Sequence, residues 1–310
     1  MRLGLLLVVL LTLAIPAAAQ QLAFKRVSEG GDERLSYRWR DAGRHERLVS
    51  FTLTHRAIRD AEASFAEFSL DAMWRIVERE LRDEVERFGH GARIDVHRTP
   101  DGLRWTLEVR DAGRIEQLTR RVEQRVATSK QAYLARHLRR TVGSRRIQVD
   151  FAAATRALQD PLQAVAKALA GVPGLPDDDR ARLALALGFF QQIPYAALED
   201  QRRQGGDFLP GPALLAENRG DCDSKAVALA AVLRGFTHLR KLAVVTMPGH
   251  AILAVDMPAE AGDTTIRQGS RQYVALEPAG PALSRVGSVA ADTAKYLAGA
   301  AREIEVWPIE

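Results

Sequence analysis

The chain has 310 residues, 46% of them hydrophobic and 27% charged, with a formal net charge of +5. That length supports one large domain or two moderate ones around a substantial core, and the balance excludes a disordered chain and a membrane channel. The cationic side chains are mostly arginines spread among carboxylates, with no aromatic-interleaved basic run; this reads as a solvated exterior, with weak attraction to anionic envelope surfaces as the alternative, and not as a nucleic-acid surface.

Residues 1–19 read as a secretory signal. Arg2 supplies the positive start, Leu3–Ile15 is an apolar run of 13 residues, and Ala17-Ala18-Ala19 places small residues where a signal peptidase reads them. A membrane-spanning helix needs about 18 apolar residues or more, so an N-terminal anchor is the weaker alternative. No cysteine follows the run, which removes lipid attachment there. Cleavage after Ala19 takes away Arg2, lowers the net charge by one and leaves a soluble exported protein, expected in the periplasm.

Strand-like alternation appears in Arg34–Arg40 (RLSYRWR) and Leu48–Thr54 (LVSFTLT). Met73, Ile76, Val77, Leu81, Val85 and Phe88 then recur at helical spacing. Ala92–His97 and Leu103–Val109 predict a hairpin around Thr99-Pro100-Asp101-Gly102, where Pro and Gly favour a turn. A long charged helix is expected from about Arg114 to Arg140, then a break at Val142-Gly143-Ser144 and a further strand, Arg146–Phe151. Together these predict a signal peptide at 1–19 and a small α+β domain at 20–145. No catalytic pattern stands out in it: His45, His55, His90, His97 and His137 lack metal-ligand spacing and read as surface or packing residues.

The second domain is expected over 146–310. Helical patterns cover Ala152–Ala170 and Asp179–Phe190, and Ile193-Pro194 ends the latter. A Gly- and Pro-rich loop at 201–212 leads to Pro212–Glu217, and Asn218-Arg219-Gly220 precedes a helix over Asp221–Arg234. Strands follow at Leu242–Met247, Ala251–Asp256 and Gln272–Leu276.

Cys222 is the only cysteine, so it has no intrachain disulfide partner. A lone cysteine is often a packing residue. A free thiol in an exported chain is exposed to oxidation, however, which favours a chemical role. Asp221 is suited to cap the helix, which puts Cys222 in its first turn, where free N–H groups and the helix dipole favour a thiolate. Such a thiolate needs a base, and the base an orienting acceptor. His250 stands between Gly249 and Ala251 at the head of a strand, and Glu277 closes another. Two adjacent antiparallel strands would bring them together.

The segments GDCDSKA (220–226), GHA (249–251) and ALEP (275–278), with FFQQIPY (189–195) and PALLAENRGDC (212–222) upstream, resemble the bacterial transglutaminase-like cysteine peptidases of the papain-like superfamily. The resemblance covers roughly 150–310. It implies an α+β fold in which a Cys-bearing helix packs on an antiparallel sheet. It also implies Cys222 as nucleophile, His250 as general base and acid, and Glu277 as third member. Many relatives carry Asp in the third position, and Asp256 is the alternative here. The oxyanion donors are expected to be the backbone N–H of Cys222 and a side-chain amide from Gln191 or Gln192, with Gln191 preferred. Asp221, Asp223 and Lys225 read as structural, and neither a metal nor a cofactor is expected.

The leading expectation is therefore an exported thiol-dependent peptidase or amidase acting on a protein or peptide of the cell envelope. An amine in place of water as acceptor would make it a cross-linking transglutaminase. The competing class is a non-catalytic papain-like binding module, and a redox sensor is disfavoured because the chain has no resolving cysteine.

Overall fold

The computed structural model describes residues 20–66, 68–99, 102–143, 146–198, 207–280, 282–299 and 304–310. The expected signal peptide, part of the 99–102 turn and most of the 201–212 loop lie outside these.

Strands β1 (Gln20–Glu29), β2 (Asp32–Arg40) and β3 (Glu46–Thr54) form an antiparallel meander. Gly30 and Gly31, at φ 61° and 95°, make the two-residue turn between β1 and β2, which needs positive φ at both positions. Along β2 and β3, Leu35, Tyr37, Trp39, Val49, Phe51 and Leu53 are buried while the intervening residues face outward, the period of two of a sheet covered on one side. Helix α1 (His55–Ala66) follows directly.

Helix α2 (Leu70–Phe88) starts at Ser69, whose hydroxyl accepts from the Ala72 N–H at 3.2 Å. The hairpin β4 (Arg93–Thr99) and β5 (Gly102–Glu108) leads to α3 (Ile115–Arg136). Val77, Leu81, Val85 and Phe88 of α2 pack on Leu118 and Val122 of α3, giving this pair its own small core. The long charged helix ends at Arg136, short of the expected Arg140, because Leu138 takes φ 50° and turns the chain into β6 (Arg139–Val142), which pairs with β7 (Arg146–Val149).

The expected helix over 152–170 is two: α4 (Phe151–Gln159) and α5 (Gln163–Ala170). Pro161 lies between them, and a proline has no N–H to continue a helical ladder. Next come α6 (Asp179–Gln191), α7 (Gly211–Glu217) and α8 (Cys222–Phe236). Helix α8 is apolar on nearly every face because it is central: α4, α5, α6 and α7 pack around it. Strands β8 (Leu242–Met247), β9 (His250–Val255), β10 (Thr265–Gln268) and β11 (Arg271–Leu276), helix α9 (Ala291–Ala298) and strand β12 (Glu305–Ile309) complete the chain. The sheet is antiparallel, in the order β10-β11-β9-β8-β12. One face, with Val244, Leu253, Val274 and Leu276, joins the core of α8; the other, with Val245, Ile252, Tyr273 and Ala275, packs against Leu297 and Val306.

The architecture is thus mixed α/β with antiparallel sheets. A division at 145/146 cuts through one continuous core. Tyr37 and Trp39 of β2 meet Phe189 of α6 edge-on at 5.1 and 5.4 Å, Phe65 meets Phe208 at 4.6 Å, and the Tyr37 hydroxyl donates to the Leu215 carbonyl at 2.5 Å. The first three strands are therefore part of the scaffold of the second half. Among the described residues, no helix is long and apolar enough to cross a membrane.

Candidate active site

The loop before α8 has a conformation that few residues tolerate. Asn218 ends α7 in the left-handed region, φ 52° and ψ 44°, where Asn is favoured after Gly. Its side-chain amide exchanges two hydrogen bonds with that of Gln21, at 2.8 and 2.9 Å. A Cβ on Gly220 would stand 2.6 Å from Leu214 Cδ1, so any larger residue here would force the buried Leu214 side chain to shift. The Gly220 N–H donates to the Pro194 carbonyl at 3.2 Å, and its carbonyl accepts from Ala196 at 3.1 Å, which pins the loop to the segment after α6. The Asp221 carboxylate then accepts from the Ser224 N–H at 3.2 Å and caps α8. Cys222 is the first residue of the helix, half-buried and free. As at any helix start, its backbone N–H has no partner within the helix.

His250 is placed by a tight turn. Met247 pairs with His250 across Pro248-Gly249, and Gly249 takes φ 70°, as the third position of a type II turn requires. Because β9 and β11 run antiparallel, the end of β11 lies beside the start of β9. Glu277, the first residue after β11, is buried there, and its Oε1 stands 2.8 Å from His250 Nε2. Its Oε2 accepts from the buried Thr293 hydroxyl at 2.9 Å. With Nε2 engaged by Glu277, the other ring nitrogen is left for Cys222, which lies near enough to favour the charged ring. Burial disfavours the charged ring, but the hydrogen bonds and negative charge of Cys222 and Glu277 outweigh it and push His250 up to about 10.

The structure therefore brings Cys222, His250 and Glu277 together. Asp256, the alternative acid, is excluded by distance: it lies beyond the opposite end of β9, roughly 20 Å away at about 3.3 Å per residue, and it faces Lys241 at 4.0 Å.

The expectation for Gln191 is corrected. Its Nε2 donates to the carbonyls of Glu277 at 2.8 Å and Ser284 at 3.0 Å, which uses both amide hydrogens, so it holds the Glu277 segment and has nothing left for a substrate oxygen. A Cβ on Gly280 would meet the Gln191 carbonyl at 2.2 Å, so the two segments are in direct contact. Its neighbour Gln192 is the opposite case. It is only 3% exposed, and neither its Oε1 nor its Nε2 has a hydrogen-bond partner among the described residues.

Beneath the site, Lys225 is fully buried. Its ammonium donates to the carbonyls of Ile193 at 2.5 Å and Ala279 at 2.9 Å, tying the helix of Cys222 to the segments that carry Gln192 and Glu277. Burial lowers it to about 8, against the raising effect of Asp221 and Cys222. Burial and the neighbouring Asp221 push the Asp223 carboxyl well above the usual carboxylate range. Among the described residues, no group of three or more His, Cys, Asp or Glu side chains is arranged to hold a metal ion.

Sequence reasoning missed Thr293. It lies in an alanine-rich stretch with no motif, and only the fold carries it over Glu277. The clamp formed by Lys225 was also hidden, because both of its acceptors are main-chain carbonyls distant in sequence. No protein-family model, no curated protein and no solved structure matches this chain.

Proposed function

We propose that this protein is a thiol-dependent acyl-transfer enzyme, a cysteine peptidase or amidase of transglutaminase-like, papain-like type, acting on a protein or peptide of the cell envelope. One observation carries the reading: His250 Nε2 stands 2.8 Å from the Glu277 carboxylate, and Cys222 lies near enough to join Glu277 in driving the ring toward the protonated form. A cysteine, a base and an orienting acid in that order are the parts that acyl transfer requires.

In the proposed reaction His250 takes the Cys222 proton, and Sγ attacks the carbonyl carbon of an amide. The tetrahedral intermediate collapses as the imidazolium gives its proton to the leaving nitrogen, leaving a thioester on Cys222 and a free amine. His250 then deprotonates a water that attacks the thioester; the acid leaves and Sγ recovers its proton. Glu277 holds the ring through Nε2 so that Nδ1 serves the sulfur, and it balances the imidazolium charge. The negative oxygen of each intermediate is met by the Cys222 backbone N–H and by the amide of Gln192, a buried donor without a partner among the described residues. Export through the apolar leader puts this chemistry in the periplasm.

The test is thiol reactivity. Cys222 should be alkylated by iodoacetamide at pH 6–7 faster than in denatured protein, and His250→Ala should slow alkylation by roughly 100-fold, the lower range for loss of a positioned base. Labelling no faster than in the denatured control overturns the reading. Comparing envelope proteins of cells carrying wild type or Cys222→Ala then separates hydrolysis, seen as new termini, from transamidation, seen as isopeptide links.

A further inference from the structure

We propose that the groove between α2 and α3, far in sequence from Cys222, is a binding site for a multiply charged phosphate-type oxyanion. The two helices border an open groove of about 340 Å³ lined by Glu84, Arg87, Arg121, Gln124, Arg125 and Thr128. Three guanidinium groups converge there on one nearly buried carboxylate. Glu84 Oε1 is met by Arg121 Nε at 2.8 Å and Nη2 at 2.6 Å; its Oε2 is met by Arg125 Nη2 at 2.9 Å and Arg87 Nη1 at 3.2 Å.

One arginine suffices to neutralise a buried glutamate, bidentately if need be. Here the wall of the groove keeps a surplus of two positive charges. The donors are not used up either. Arg121 Nη1, Arg125 Nε and Nη1, and Arg87 Nη2 have no hydrogen-bond partner among the described residues. Gln124 and Thr128 add neutral donors on the same face. Stacking of Arg121 over the Phe88 ring, 5.6 Å from its centroid, holds one guanidinium in place without consuming an N–H. A converging set of planar N–H donors with net positive charge, in a concave site lined by a single acid, matches the charge and hydrogen-bonding of a phosphate group. Glu84 then acts as an internal anion that holds the three guanidinium groups together.

The phosphate can belong to a soluble compound or to a lipid headgroup, and two probes distinguish these. Titration of the full chain with inorganic pyrophosphate, followed by calorimetry, is expected to show saturable binding. Arg121→Gln with Arg125→Gln should weaken it about tenfold or more, while Glu84→Gln, which removes the competing anion, should tighten it by about tenfold, the scale of one nearby charge. Vesicles containing phosphatidylglycerol form the second arm. Vesicle binding with the same response to these variants, but no pyrophosphate binding, assigns the site to a lipid headgroup. A purely structural cluster predicts no tightening in Glu84→Gln, and that result, or binding of neither probe, overturns the proposal. Should the double variant fail to fold with Glu84 short of partners, the triple variant with Glu84→Gln removes that liability. A folded triple variant that binds as tightly as wild type also overturns the proposal.

Discussion

Thr293 donates its hydroxyl to Glu277 Oε2 at 2.9 Å while the other oxygen of that carboxylate holds His250 Nε2 at 2.8 Å. Glutamate has one more rotatable bond than aspartate, and so more ways to point away from the histidine. A hydrogen bond on the second oxygen removes that freedom. Thr293 is thus proposed as a positioning residue whose work is done through Glu277. Thr293→Val should slow alkylation of Cys222 at pH 7 by about tenfold, the cost of one buried hydrogen bond to a charged group, and lower the His250 titration midpoint followed by NMR. Thr293→Ser should restore both. A Val variant that folds and keeps the wild-type midpoint would remove Thr293 from the machinery.

Stability should depend on pH with a definite sign. His250 rises from 6.5 to about 10 on folding, so its contribution is complete below pH 6.5 and is lost as the pH climbs through about 10. Lys225 falls from 10.5 to about 8, so the cost of burying its charge is complete below pH 8 and is relieved between 8 and 10.5. Between pH 6.5 and 8 the histidine makes urea stability fall by on the order of 1 kcal/mol per pH unit, in the same direction as the raised Asp223 carboxyl. Above pH 8 the two slopes oppose and the profile should flatten. His250→Gln should reduce the first fall; an unchanged profile would contradict the assigned direction.

Lys225→Met keeps an unbranched side chain, one atom shorter, and removes its donors. The carbonyls of Ile193 and Ala279 then lose the ammonium that both bind. A net destabilisation of about 1–3 kcal/mol is expected from urea unfolding, the usual cost of buried groups left without partners. Alkylation of Cys222 should slow as well, because the segment after Glu277 loses its tie to α8. A variant as stable as wild type would mean that desolvating the ammonium had cost as much as its two hydrogen bonds contribute.

The two neighbouring glutamines should separate cleanly. Gln192→Ala removes the proposed oxyanion donor, so turnover of a peptide substrate should fall by about 100-fold while alkylation, which forms no oxyanion, stays unchanged. Gln191→Ala removes the bonds to Glu277 and Ser284 and should lower thermal stability and the alkylation rate together. Equal loss of alkylation in both variants would return Gln192 to a packing role.

Much of the fold was legible because local chemistry and tertiary context agree. The helix of Cys222 begins where Asp221 can cap it, and β2, β3 and β8 carry their strand patterns openly. Elements with mixed signals were not found. Strand β1 includes Lys25 and Arg26, of which Arg26 serves the buried Glu33 carboxylate and the carbonyl of Ala216. Strand β12 holds Pro308, tolerable because it lies on the edge of its sheet. The break between α4 and α5 was signalled by Pro161 and read through.

The sequence by itself determined which residue types stand at three decisive local positions: a cysteine at a capped helix start, a histidine after a Pro-Gly turn, and a glutamate at a strand end. Those are properties of neighbours in the chain, set by capping, turn geometry and strand periodicity. Only the tertiary structure decided which acid serves His250, because β11 pairs with β9 and carries Glu277 to the histidine while the length of β9 carries Asp256 away. It also decided which glutamine is spent on the backbone and which is not, and it brought in Thr293 and the carbonyls held by Lys225. Hydrogen bonds between residues distant along the chain leave no period and no motif, so they become visible only once the core has closed around them.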